Sequence, residues 1–126
     1  MKKIISLIIC SIILSCSGQK TCEDFRNGKF RLTSEVGTTI IERKDYSQVE
    51  TKDGINYYSD VEWINDCTYL LKNHRNHNKE MDEEEIGNIY KVEILQIFKD
   101  SIKIKTTANY TDFVVEGTLD ILELNN

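Results

Sequence analysis

Two histidines, His74 and His77, lie three residues apart, and the acidic residues Glu80 and 82–85 follow them. Imidazole nitrogens and carboxylate oxygens are ligands for Zn²⁺ and other divalent ions. The stretch from 72 to 80 contains no apolar residue, however, so we predict a loop, which holds ligands poorly. The preferred interpretation is a solvated hairpin loop. A metal site at His74 and His77 is the alternative, and no cofactor is expected.

Aromatic side chains are concentrated in the middle of the chain, at Tyr57, Trp63, Tyr69 and Tyr90 among others. Aromatics at the mouth of a barrel can stack on a sugar or an apolar ligand, so these four are the candidate ligand-binding residues. Core packing is the commoner use of such residues and is the alternative. The chain has no paired acid and base, phosphate-binding loop or nucleophile elbow. We therefore expect no catalytic residues and no enzyme.

These residues fall within segments that favour β-strands. Runs rich in Ile, Val, Thr, Tyr and Phe recur at short intervals between turn residues, and Ala occurs once. The Asp53-Gly54 pair between two such runs is the strongest hairpin signal. A capping-box pattern from Thr21 predicts a short helical turn there, and residues 82–85 could form another. The predicted strands cover residues 29–34, 38–45, 47–51, 55–64, 67–72, 89–99, 101–107 and 113–124.

About eight antiparallel strands joined by short turns indicate an all-β domain. Most runs alternate apolar and polar residues, as expected when one face of each strand meets water. Eight short strands in about 100 residues suit a small lipocalin-like barrel or a strongly curved sheet, and closure removes exposed edges. A two-layer β-sandwich is the alternative.

The first residues resemble a bacterial lipoprotein signal. A basic start at residues 1–3 precedes an apolar run at 4–14, which is too short to span a bilayer as a helix, since that needs about 20 residues. The run ends in Ile-Leu-Ser-Cys, with small Ser15 directly before Cys16. Lipid attachment at the Cys16 sulfur is therefore predicted, with an ordinary secretory signal as the alternative.

This pattern divides the chain into three parts. Residues 1–15 are the predicted signal peptide, 16–21 the lipidated anchor and tether, and 22–126 a single β domain. No acidic residue directly follows Cys16, which favours the outer membrane of the cell envelope in the sorting pattern that it resembles. The predicted partner is thus a membrane, reached through the lipid, with secretion as the alternative location.

Two further cysteines, Cys22 and Cys67, remain in the predicted domain. Neither belongs to a Cys-x-x-Cys motif, and the nearest His to Cys67 is seven residues away, so no redox or nucleophilic pair is visible. In an oxidising compartment, one disulfide between Cys22 and Cys67 is the simplest prediction. Two free buried thiols are the alternative.

Net charge excludes one class of partner. The chain carries 16 Lys and Arg against 21 Asp and Glu, a net charge of −5. Loss of Lys2 and Lys3 with the signal makes the domain more acidic still. An acidic domain lacks the positive surface that nucleic-acid binding requires, so no nucleic-acid partner is expected.

Three segments resemble a family of small secreted or lipid-anchored proteins from flavobacteria and their relatives. The family shares Cys-x-x-Phe-x-x-Gly-x-Phe, here CEDFRNGKF at 22–30, and Trp-x-x-Asp-Cys-x-Tyr, here within VEWINDCTYL at 61–70. The segment IERKDYSQVE at 41–50 also matches, whereas residues 74–85 do not. The Gly-Lys-Phe sequence at 28–30 additionally resembles the first strand of lipocalins.

The family has no known activity, so the resemblance implies no functional residues. Some members carry the label of a DNA topoisomerase IV, which does not fit a small, acidic, exported chain. Because Cys22 and Cys67 both lie inside the shared motifs, the resemblance implies that they act together.

Three hypotheses for function follow. The first is a non-enzymatic envelope lipoprotein whose barrel binds a small apolar or amphiphilic ligand. The second is a structural or protein-interaction module with a packed barrel, presenting its loops to a protein partner at the membrane. The third and least favoured is a divalent-metal-binding protein.

Overall fold

The computed structural model describes residues 19–125, so the predicted signal peptide and the lipid site at Cys16 lie outside the described residues. Eight antiparallel strands pair in sequence order, and the last pairs with the first to close a barrel. The prediction of an all-β barrel is confirmed, and the alternative of a two-layer sandwich is wrong. Within residues 19–125, no helix is long and apolar enough to cross a bilayer.

All eight predicted strands form, with shifts of a few residues at their ends. The elements are a 3₁₀ turn at Cys22–Phe25, β1 Gly28–Ser34, β2 Gly37–Lys44, β3 Ser47–Lys52, β4 Ile55–Asn65, β5 Thr68–Arg75, a second 3₁₀ turn at Glu83–Glu85, β6 Tyr90–Ile97, β7 Ser101–Ala108 and β8 Thr111–Leu124.

Individual residues account for one β-hairpin turn and for the start of both 3₁₀ turns. Asp53 and Gly54 both have positive φ, at 52° and 76°, and join β3 to β4 in the two-residue hairpin that the sequence predicts. The first 3₁₀ turn begins where the capping-box pattern predicts, and the Thr21 backbone N–H donates to the Asp24 carboxylate over 2.8 Å. The second turn is capped by Asp82, which accepts from the Glu84 N–H.

A register shift between Ile94 and Gln96 changes which side chains of β6 face inwards. Strict alternation from Tyr90 predicts Phe98 in the core, but Phe98 is exposed and Ile97 packs against the core instead. A bulge adds one residue to a strand and therefore reverses the phase of alternation beyond it.

One end of the barrel is closed by the 3₁₀ turn Cys22–Phe25, which we call the plug. Phe25 is fully buried beside Phe30, with Ile102 and Leu119 also fully buried in the core. A disulfide joins Cys22 of the plug to Cys67 in the β4–β5 turn, confirming that prediction. The plug, the eight strands and the disulfide all lie within residues 19–125, so this stretch contains a complete folding unit.

The chain approaches the barrel at its plugged end. Lys20 donates from its side chain to the Lys99 carbonyl, in the turn between β6 and β7. The β2–β3, β4–β5 and β6–β7 turns lie at this end, because successive antiparallel strands alternate in direction. The other connections, including the long one at residues 76–89, lie at the opposite end. We call that end the mouth and residues 76–89 the mouth loop.

Candidate functional site

A cavity of about 460 Å³ opens at the mouth of the barrel. Strands on all sides contribute to its wall, and the mouth loop borders it with Asp82 and Glu85. Most of the wall is apolar because the inward positions of the strands alternate with the water-facing ones. The aliphatic and Phe side chains of the wall are Leu32, Ile41, Leu71, Val92, Ile104, Phe113, Val115 and Leu119.

Three of the four predicted aromatic residues lie in this wall. Tyr57, Tyr69 and Tyr90 line the cavity, whereas Trp63 is not among its lining residues. Trp63 packs towards the closed end instead, with its ring 4.7 Å from that of Tyr69 and its indole N–H donating to the Asp45 carbonyl. The prediction that all four aromatics line one cavity therefore has to be corrected for Trp63, which packs against Tyr69 outside the cavity wall.

The Arg43 side chain lies between the cavity and the plug and is fully buried. It donates to Gln48 Oε1 at 3.0 Å, to the Phe25 carbonyl at 2.8 Å and to the Tyr69 hydroxyl at 2.6 Å. Its guanidinium carbon also lies 4.2 Å from the centre of the Tyr69 ring. A buried cation is costly unless its donors are satisfied, and here each of the three guanidinium nitrogens donates to an acceptor.

Glu50 is the acidic residue that a strand contributes to the cavity wall. It lies in β3 between Ile41 of β2 and Tyr57 of β4, and all three side chains line the cavity. Gln48 Nε2 donates to Glu50 Oε1 at 3.4 Å, and within residues 19–125 Oε2 has no hydrogen-bond partner. Burial raises the pKa of Glu50, although nearby His74 and Arg43 and the Gln48 hydrogen bond oppose that shift.

His74 also lines the cavity, at the end of β5 rather than in the predicted loop. Its Nε2 lies 3.0 Å from the Asn88 carbonyl, which can only accept, so Nε2 carries a proton. Its Nδ1 lies 2.8 Å from the Ser59 hydroxyl. Serine and histidine in this contact act as nucleophile and base in hydrolases. Ser59 lines the cavity as well, although only 5% of its surface is exposed.

The predicted metal pair is not brought together with further ligands. His74 has both ring nitrogens engaged inside the wall, whereas His77 is exposed in the mouth loop. Across residues 19–125, no three His, Cys, Asp or Glu side chains are grouped so that they could hold a metal ion. The structure thus places the two histidines in different environments despite their close spacing in sequence.

The mouth loop is held in place by its own hydrogen bonds and by bonds to the barrel. The Asn76 side chain accepts from the Asn78 and Glu80 N–H groups, and Asp82 N–H donates to the His74 carbonyl. At its far end, the Asn109 side chain donates to the Gly87 carbonyl. The loop is polar, as predicted, but it is a folded rim of the cavity and not a free hairpin tip.

A cluster of hydroxyl and carboxylate groups joins this rim to the wall. The Tyr90 hydroxyl donates to Glu85 Oε2 at 2.8 Å and lies 2.9 Å from the Tyr110 hydroxyl. Burial and these hydrogen bonds raise the pKa of Tyr90, so its hydroxyl stays neutral. Its ring also meets that of His74 edge-on, with 5.2 Å between centroids. Tyr90 therefore fixes the position of Glu85 at the mouth.

Sequence reasoning missed Arg43, Gln48 and Glu50 as parts of the interior. Their positions in the strands indicate that they point inwards. Arg43 follows buried Ile41 by two residues, and Arg43 pairs with Gln48 across β2 and β3. Alternation therefore places these polar side chains on the inner face, although their residue types are typical of surfaces.

No protein-family profile, curated protein or solved structure matches this chain at a significant level.

Proposed function

We propose that the protein is a non-enzymatic lipoprotein of the bacterial cell envelope whose barrel binds a small apolar or amphiphilic ligand. The observation that carries this proposal is the open cavity of about 460 Å³ with its largely apolar wall. Pockets for small molecules typically have volumes of about 300–1,000 Å³ and combine apolar walls with a few polar groups. Glu50, Ser59 and His74 are such polar groups here.

The closed end supports a defined orientation for such a protein. The chain leaves the predicted tether at Lys20 and Thr21, next to the plug, so the mouth is at the far end of the barrel. Lipid on Cys16 would therefore place the plug towards the membrane and the mouth towards the aqueous compartment. More than one acyl chain, as lipoproteins carry, gives stable anchoring.

Ligand binding is tested with a neutral dye that fluoresces in apolar sites, N-phenyl-1-naphthylamine, added to residues 19–126 produced in an oxidising compartment. Val115 lines the cavity and adjacent Val114 does not, although both are exposed. Val115→Trp should fill part of the cavity and weaken dye binding about tenfold, whereas Val114→Trp should leave it unchanged. Absence of dye binding to the unmodified barrel would contradict the proposal, as would equal losses in both variants.

The anchor is tested separately in cells with the full chain. Cys16→Ser should abolish incorporation of labelled palmitate and release the protein from the membrane fraction. Cys10→Ser is the matched control, because it lies inside the predicted signal and should leave both properties unchanged. Palmitate incorporation that persists in Cys16→Ser would refute the anchor at this residue.

Exposed apolar residues around the mouth favour a second candidate function, an interaction module that docks a protein partner. Met81 and Ile86 of the mouth loop are 53% and 63% exposed, and Tyr57 and Phe113 extend the apolar rim. Exposed apolar groups in one region often mark interaction sites. Met81→Ser with Ile86→Ser should remove partners from a pull-down if this candidate is correct. Unchanged partners together with unchanged dye binding would favour the ligand-binding function.

A further inference from the structure

We propose, building on the ligand-binding function above, that the preferred ligand is an amphiphile with an apolar body and a cationic amine head group that pairs with Glu50. The ligand class follows from which charges the cavity wall offers and which it already uses internally.

The two arginines near the cavity already donate to acceptors of the protein. Each of the three guanidinium nitrogens of Arg43 already donates a hydrogen bond, to Gln48, Phe25 and Tyr69, and the side chain is fully buried. Arg75 lines the cavity but pairs with the Asp60 carboxylate at 3.0 Å. A fatty acid or another anion would therefore find no cation of the wall without an existing partner.

Glu50 differs from these cations because one of its oxygens is available. Oε1 accepts from Gln48, whereas Oε2 accepts no hydrogen bond from the described part of the chain. An ammonium group has three N–H donors and could donate to Oε2. Tyr57 is the neighbour of Glu50 in the register and also lines the cavity, and aromatic rings attract cations.

Burial gives Glu50 a further reason to favour a cation. The pKa of Glu50 is raised chiefly because its ionised form loses solvation in the wall. A bound ammonium would restore favourable interactions to the carboxylate, whereas a bound carboxylate would repel it. Arg43 and His74 also act on this carboxylate, but burial outweighs their attraction, so a further cation on the apolar body is favoured over an anion.

The rim carries mostly charge of the same sign, with five acidic residues in the mouth loop against one lysine, Lys79. The mouth loop contains the acidic residues Glu80 and 82–85, and Asp82 and Glu85 border the cavity directly. Clefts bordered by one sign of charge raise the local concentration of oppositely charged ligands. The rim would therefore attract a cationic amphiphile and repel an anionic one before either reaches the wall.

The test compares decylamine, 1-decanol and decanoate, which share one alkyl chain and differ in the head group. Each is titrated by calorimetry at pH 8 into residues 19–126, produced with the disulfide intact. Decylamine should bind at least about tenfold more tightly than 1-decanol, the range expected of a charge-assisted hydrogen bond, and decanoate more weakly than either.

Two variants that each remove one negative charge separate the effect of Glu50 itself from the effect of net charge. Glu50→Gln should bring decylamine to the affinity of 1-decanol without weakening 1-decanol itself. Glu42→Gln removes the same charge from an exposed position in β2 that does not line the cavity, and should leave the preference intact. Far-ultraviolet circular dichroism of each variant establishes that the barrel is folded.

The outcomes distinguish this inference from the proposed function on which it rests. If 1-decanol and decylamine bind equally, or decanoate binds most tightly, the amine preference is wrong while the apolar cavity function stands. If none of the three binds, the proposed function itself fails. If Glu42→Gln removes the preference as fully as Glu50→Gln, net charge and not Glu50 is responsible, and the pairing is overturned.

Discussion

Arg43 donates from its guanidinium to the Tyr69 hydroxyl at 2.6 Å while lying 4.2 Å from the centre of the same ring. Both side chains are almost completely buried, and they separate the core near the plug from the cavity above it. Burial raises the pKa of Tyr69 and so keeps its hydroxyl in the neutral form that can accept from Arg43. This pair forms a polar floor within an otherwise apolar barrel.

Loss of the Tyr69 hydroxyl is expected to destabilise the barrel. Tyr69→Phe keeps the ring but leaves one donor of a buried cation without its acceptor, which costs about 1–3 kcal/mol. Urea denaturation followed by circular dichroism measures the change in the free energy of unfolding. Tyr46→Phe is the control, since Tyr46 is 75% exposed, and its effect should stay within about 0.5 kcal/mol. Equal effects of the two substitutions would show that the Arg43 contact adds nothing.

The Cys22–Cys67 disulfide should act as one unit in stability. Its sequence separation of 45 residues gives a loss of about 4 kcal/mol in the chain-entropy estimate when the bond is absent. Cys22→Ser and Cys67→Ser should each lower the melting temperature, and the double variant should be no less stable than either single one. Additive losses in calorimetric melting temperatures would contradict this expectation.

The fold could be predicted from sequence because its signals are local and consistent. Alternating apolar residues and short turns predict eight strands, and the Asp53-Gly54 hairpin forms as expected. The bulge after Ile94 could not be predicted in the same way, because the pairing of two strands determines it. The sequence also predicts a loop at His74, because its neighbours are polar, but β5 continues past it to Arg75, which pairs with Tyr58 of β4.

The candidate site was only partly predictable. Aromatic residue types indicated Tyr57, Tyr69 and Tyr90, which do line the cavity, but residue type alone could not separate them from Trp63. Glu50 was overlooked because a carboxylate is usually exposed, and its inward position depends on the register of β3 with both neighbouring strands. Residue types thus predict which side chains could bind a ligand, whereas strand register determines which of them line the same cavity.

Gly28 and Gly117 should differ sharply in tolerance to alanine. A Cβ on Gly28 would lie 2.6 Å from the Glu123 carbonyl oxygen, a backbone atom that cannot move without disturbing the pairing of β1 with β8. A Cβ on Gly117 would meet only the Leu32 side chain, at 3.6 Å. Gly28→Ala should therefore cost about 1–3 kcal/mol, as overpacking does. Gly117→Ala should be neutral or slightly stabilising in urea denaturation, and the reverse order would refute the close approach.

Glu50→Gln is expected to stabilise the ligand-free barrel in a pH-dependent way. Because the pKa of Glu50 is raised in the folded state, the folded protein holds this proton more tightly than the unfolded chain does. Below its usual pKa of 4.5, Glu50 therefore does not lower the free energy of unfolding. The loss of stability begins above that pH and grows until the pH passes the raised pKa of the folded state. Urea denaturation at pH 4 and pH 8 should show a gain for Glu50→Gln at pH 8 only.

Other groups facing Glu50 must be held constant in this comparison. Arg43 from β2 and His74 from β5 both interact with its charge, and Gln48 donates to it. Each is retained in both the parent and the Glu50→Gln variant, so the two proteins differ only at the Glu50 side chain. Glu42→Gln, at an exposed position, should show no such gain at pH 8. A Glu50→Gln variant that is less stable at pH 8 than at pH 4, relative to the parent, would mean that the ionised carboxylate is stabilised by its partners and that burial does not dominate.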